Sequence, residues 1–142
     1  MNGDRQTGKA KCALQQYAEL LRENNRQIQR LDQLEMRKNN DSCAEARALE
    51  LAQSIRDGIS IEQETGAKLE GLIGRLHSAD ERAVLRMRYF DLSGWPEIRS
   101  SLYGDKPDFL QREQSYSRRA FRLHTDALAA LDQMLEDSGH TG

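Results

Sequence analysis

The chain has 142 residues, with an apolar fraction of 37% against a charged fraction of 31%. That balance excludes a large compact core and favours elongated or paired helices, arranged as one modest domain or a small domain with a helical extension. The net charge of −2 conceals a division: residues 1–74 carry 11 basic and 12 acidic side chains, residues 75–124 carry 10 and 7, and residues 125–142 carry 0 and 4. The positive middle segment points to an anionic partner.

Residues 1–9 are polar and read as a disordered tail. From about residue 10, Leu14, Tyr17, Leu21, Asn24, Ile28 and Leu31 recur at alternating spacings of three and four, with Leu20 and Leu34 widening the stripe. This is the seam of a helix meant to pack against another helix. Asn24 on the seam is the kind of residue that fixes register or stoichiometry at some cost in stability. A hairpin within one chain and a coiled-coil dimer both satisfy such a seam.

The stretch RKNNDS (37–42) breaks this helix, because Asn39, Asn40, Asp41 and Ser42 favour turns and caps. A second helix is expected from about 43 to 57 with Leu49, Leu51, Ala52 and Ile55. Gly58 reads as its end and Ser60 as the start of a third, which runs to about His77 through Ile61, Leu69, Leu72, Ile73 and Leu76. Gly66, Gly71 and Gly74 each cost such a helix about 1 kcal/mol against alanine, or else admit close helix approach.

SADE (78–81) is a capping box, with Ser78 at the cap and Glu81 three residues on. The helix it starts, ERAVLRMRYF, buries Val84, Leu85 and Tyr89. Asp91 to Gly94 forms a turn, and Pro96 falls near the first helical position of WPEIRSSL, where a missing N–H costs nothing. YGDKPDF (103–109) is a second break. The last helix starts near Ser115 or Ser117, runs to about Glu136 and leaves DSGHTG as a loose tail.

The fold class expected is all-α. A helical arm or hairpin over residues 10–77 serves interaction or oligomerisation, and a second domain spans 78–136. Residues 1–9 and 137–142 are tails. No apolar run spans a membrane, and MNGDRQTGKAK lacks the apolar core of a signal peptide, so a cytoplasmic location without a membrane partner is expected. Cys12 and Cys43 stand apart from any C-x-x-C or His/Cys cluster, so reduced thiols are expected. No nucleophile–base pair, glycine-rich phosphate loop or paired-carboxylate site is present, so neither an enzyme nor a cofactor is expected.

Three helices with two short breaks, the last helix basic at its start, follow the plan of a helix-turn-helix domain. With Arg118 set at zero and about 100° per residue, Arg122 falls near 40° and Arg119 near 100°. Phe121, His124, Leu128, Leu131 and Leu135 fall between about 220° and 300°, and Leu123, Ala127 and Met134 extend this apolar arc to about 140°. The three arginines therefore face away from the core together, and Asp126 and Glu136 follow them further along. Arginine bonds bidentately to guanine, and serine or tyrosine hydroxyls and free helix N–H groups hold phosphate. A solvated helix start, whose arginines serve solubility, carries the same local pattern.

The run ERAVLRMRYFDLSGWPEIRSSL followed by SYSRRAFRLHTDALAAL resembles region 4 of bacterial sigma factors. More closely, it resembles the sigma-region-4-like transcriptional regulators of phages and prophages, of the ArpU and RinA types. The matching residues are Glu81, Arg82, Val84, Leu85, Arg88 and Tyr89, then Trp95, Glu97, Ile98 and Leu102, then Tyr116, Ser117, His124, Ala127, Leu128 and Leu131. The match covers about residues 76–135. One departure is that GDKPDFLQREQ lengthens a turn that is short in the family. Phe109 and Leu110 are expected to pack this insertion down, or Lys106 and Arg112 to bring it to backbone phosphates.

The resemblance implies a phage-encoded, sequence-specific transcription regulator that binds double-stranded DNA, with the start of the last helix in the major groove. The DNA-contacting residues expected are Arg99, Ser100, Lys106, Gln114, Ser115, Tyr116, Ser117, Arg118, Arg119 and Arg122. The N-terminal helices would then form a homo-oligomer or contact RNA polymerase. Two other readings stay open: a protein-binding module that reads polymerase or another regulator, and a small phage DNA-packaging subunit. Among single residues, Trp95 is expected as a core anchor, His124 as a buried histidine with a hydrogen-bond partner, and Arg88 as the partner of a carboxylate such as Glu97.

Overall fold

In the computed structural model, the described residues are 8–37 and 42–141, and all of their regular secondary structure is helical. Of the expected tail over 1–9, residues 1–7 lie outside them, whereas Lys9 already belongs to a helix; most of the break at 37–42 also lies outside. Helix α1 spans Lys9–Arg37, α2 Ser42–Ile73, α3 Ala79–Leu85, α4 Trp95–Tyr103 and α5 Glu113–Thr141. A π-helical turn, Arg86–Phe90, continues α3. The chain divides into two compact units, one of residues 17–68 and one comprising the residues before and after them.

Within the unit of residues 17–68, α1 and α2 pair as a hairpin. The inward positions of α2 are Ala44, Ala48, Leu51, Ile55, Gly58 and Glu62, spaced alternately by four and three. From α1, Tyr17, Asn24, Leu31 and Leu34 face them, and Leu31, Leu34, Ala44, Ala48 and Leu51 form one apolar cluster. Asn24 is buried at 6% exposure, and its Nδ2 donates to Gly58 O at 3.1 Å and Glu62 Oε1 at 2.9 Å. The seam thus closes within one chain.

This corrects the expectation of two helices between 43 and 77. Gly58 does not end a helix; α2 runs through it because the glycine lets α1 approach. A Cβ at Gly58 would stand 2.5 Å from Asn24 Oδ1, and one at Gly66 would stand 2.7 Å from the Tyr17 hydroxyl. Leu49 and Ile61, apolar residues of the expected helices, are 70% and 55% exposed because the four–three register assigns the seam to their neighbours.

In the other unit the core is built from Leu14, Ile73, Leu76, Val84, Leu85, Ile98 and Leu131, all at most 3% exposed. The backbone N–H of Ala10 donates to Asp132 Oδ1 at 2.8 Å, so a carboxylate from α5 serves the positive end of α1, whose first turn carries no acidic residue. Ser78 caps α3 as expected, its Oγ accepting from Glu81 N–H at 3.2 Å. Arg82 donates to the Leu76 carbonyl and Arg86 pairs with Glu70, tying the end of α2 to α3 and its π-turn.

After the π-turn, Leu92 takes a left-handed conformation (φ 58°), which reverses the chain toward Gly94 and the Pro96-containing start of α4. A non-glycine residue there costs about 1–2 kcal/mol. Helix α5 then packs on both α3 and α4. It begins at Glu113, earlier than expected, and continues to Thr141, where the sequence predicts a tail.

Candidate nucleic-acid interface

The first three turns of α5, with α4 and the segment between them, hold every residue singled out for DNA contact. The structure sorts them into two groups.

One group is consumed inside the protein. Arg99 donates from Nη1 to Ser117 Oγ at 2.9 Å, pairs with Glu113 at 3.5 Å, and lies 5.9 Å from the Phe109 ring centre. Arg99 and Ser117 therefore lock α4 to the start of α5. Tyr116 is 6% exposed; it stacks on Tyr103 at 5.0 Å, meets Phe109 at 6.0 Å and donates its hydroxyl to Asp108. That bond holds the Asp108 carboxyl below its ordinary range and pushes the Tyr116 hydroxyl up. The segment 104–112 is thereby pinned through Phe109 and Asp108. Leu110, expected to help, stands 81% exposed.

The other group is available. Ser100, Lys106, Gln114, Arg118, Arg119 and Arg122 are exposed, and Ser115 is half-buried. Arg119 lies over the Tyr116 ring at 5.2 Å. With Arg122 it borders an open depression that also contains Asp80, Tyr103 and Asp126, so carboxylates offset part of its charge. Arg118 and Arg122 lie on the part of α5 turned furthest from the core.

On the flank beside them is an aromatic cluster around Trp95, whose ring lies 5.0 Å from Phe121 and 5.1 Å, edge-on, from His124. Arg88 does not seek Glu97; it stacks over Trp95 at 5.0 Å and donates to Ser93 O at 3.3 Å. Phe121 corrects the expected buried arc. Trp95 and His124 already fill the space beneath it, leaving its ring 54% exposed on top of them.

His124 itself is buried at 6% exposure and shares a hydrogen bond of 2.7 Å with the Tyr89 hydroxyl. Burial, followed by the charges of Lys11 and Arg88, lowers its pKa to about 4, so the imidazole is neutral at pH 7. Among the described residues no His/Cys/Asp/Glu group is arranged to hold a metal ion, and no helix is long and apolar enough to cross a membrane.

No family model matches this chain, and neither a curated protein nor a solved structure matches it. A three-helix unit presents arginines and a glutamine at the start of a long helix whose later outward positions, such as Asp126, are acidic. Such a helix end attracts an anion at one place and repels it a few turns further on.

Proposed function

We propose that this chain is a sequence-specific DNA-binding transcription regulator of the helix-turn-helix type, with α4 across the phosphate backbone and the first turns of α5 in the major groove. The observation that carries the reading is the exposed arc of Gln114, Arg118 and Arg122 on α5, pointing away from a core that fixes α3, α4 and α5 together. Guanidinium groups there suit guanine edges or phosphates, and Gln114 suits adenine. Ser100 and Lys106 supply further backbone contacts. Arg99, Tyr116 and Ser117 act in this reading as positioning residues, since Arg99 Nη1 and Nη2, the Tyr116 hydroxyl and Ser117 Oγ are engaged within the protein, although the buried Arg99 Nε has no hydrogen-bond partner among the described residues.

The hairpin supplies the second partner. Its seam is filled, so a second copy or RNA polymerase would meet the residues beside the seam, where Leu49 and Ile61 are exposed. Of the other readings, a protein-binding module uses this same hairpin surface, and a DNA-packaging subunit would need a ring of copies.

The Arg118→Ala/Arg122→Ala double variant is expected to bind a duplex DNA pool at least tenfold more weakly than the wild type. Its salt dependence should be shallower by about one to two in log–log slope. Arg30→Ala, in the hairpin, should leave both unchanged. Anisotropy titrations at several salt concentrations measure this, and unaltered affinity in the double variant rejects the interface.

A further inference from the structure

We propose that Phe121 is a base-reading residue whose ring takes up the 5-methyl group of a thymine in the major groove. The inference rests on the DNA-binding reading above and deepens it to one contact.

A single exposed apolar side chain is ordinary on a protein surface. Phe121 differs in how it is held and in what surrounds it. Its ring centre lies 5.0 Å from Trp95 and 5.8 Å from His124, and Trp95 is itself clamped by Arg88. The exposed half of the ring is thus presented on a fixed support, and binding costs it little conformational entropy.

Taking about 100° per residue and Arg118 as zero, Phe121 lies near 300°, Gln114 near 320°, Thr125 near 340° and Arg122 near 40°. These residues share an arc of about 100°, opposite the buried Tyr116, Ala120 and Ala127 and bordered on the Phe121 side by the buried His124 and Leu128. Thr125 donates its hydroxyl to the Phe121 carbonyl at 3.1 Å, so it offers the partner no free donor beside the ring.

The partner must therefore be anionic where Arg118 and Arg122 reach it, and must offer a small apolar group to the exposed ring on the same arc. On the major-groove edge of B-form DNA the one such group is the thymine methyl, and phenylalanine is among the side chains that contact it. An acidic protein surface also answers the arginines, and the test distinguishes it.

A random duplex pool is selected on the wild-type protein, and the retained sequences are then remade with either thymine or uracil, which lacks only the methyl. The wild type is expected to bind the uracil duplexes about fourfold more weakly per methyl taken up, the ratio that burying one methyl group gives. Phe121→Ala should bind both kinds alike while keeping its salt dependence. Phe121→Gln, with thermal unfolding followed in parallel, serves if the alanine variant is poorly folded. Equal wild-type affinity for the two duplexes, or a preference that survives in both variants, overturns the thymine contact and leaves DNA binding standing. Failure of the wild type to retain any duplex overturns both, and points to the protein surface.

Discussion

Lowering the pH from 7 to 4 is expected to remove about 3 kcal/mol of stability through His124 alone. In the unfolded chain this histidine has its ordinary pKa of 6.5, and in the folded protein burial holds it at about 4. Between those values the unfolded state binds a proton that the folded state refuses. The stabilisation is therefore complete above pH 6.5 and falls progressively toward pH 4. Asp108 is held low by the Tyr116 hydroxyl and Glu23 by Arg26 and Gln27, so their contributions disappear only at lower pH. Urea midpoints at half-unit pH steps measure the slope. His124→Gln should be less stable at pH 7, having lost the imidazole packing against Trp95 and the bond to Tyr89, yet nearly flat from pH 6.5 to 4.5. A wild-type profile as flat as the variant's would show that His124 titrates normally in the fold.

Gly58→Ala should destabilise the protein by about 2 kcal/mol, against the usual direction of that substitution in a helix. Alanine ordinarily gains about 1 kcal/mol over glycine inside a helix. At Gly58 the new methyl would meet Asn24 Oδ1 at 2.5 Å. Asn24 is buried and donates to both Gly58 O and Glu62. Displacing it sacrifices both bonds, and overpacking of this kind costs about 1–3 kcal/mol. Gly71→Ala is the matched control. It lies in the same helix with nothing within 4 Å of its added Cβ, and should stabilise by about 0.5–1 kcal/mol. Thermal melts of the two variants should therefore move in opposite directions. A stabilised Gly58→Ala would mean that α1 and α2 do not approach closely at Asn24.

The contrast between these glycines marks where the sequence is legible. The α1 seam was readable because Leu14, Tyr17, Asn24 and Leu31 repeat with helical spacing, which needs no knowledge of a partner. The continuity of α2 was not, since Gly58 breaks a lone helix and permits a paired one. Only the identity of the residue opposite, Asn24, decides between these. At the candidate interface, the outward direction of Arg118, Arg119 and Arg122 follows from periodicity alone. So do the burial of His124, Val84, Leu85 and Tyr89 and the Ser78 cap.

What periodicity cannot reveal is which polar groups are already engaged. Arg99 and Ser117 each carry a side chain suited to phosphate, and they spend it on each other across two helices. Tyr116 is turned inward, where Asp108 and Phe109 receive it. The same blindness placed Phe121 in the core, because its angle is right and only the bulk of Trp95 excludes it.

That tryptophan is the only one in the chain. Its indole touches the ring proposed to meet thymine, the imidazole that loses neutrality in acid, and the Arg88 guanidinium over its face. The protein thus carries a native fluorophore at the junction of its core and its proposed reading surface. Emission from Trp95 would report protonation of His124 and the approach of a nucleic acid to Phe121 without any label. Because no second indole contributes background, the two signals can be told apart by titrating acid and DNA separately.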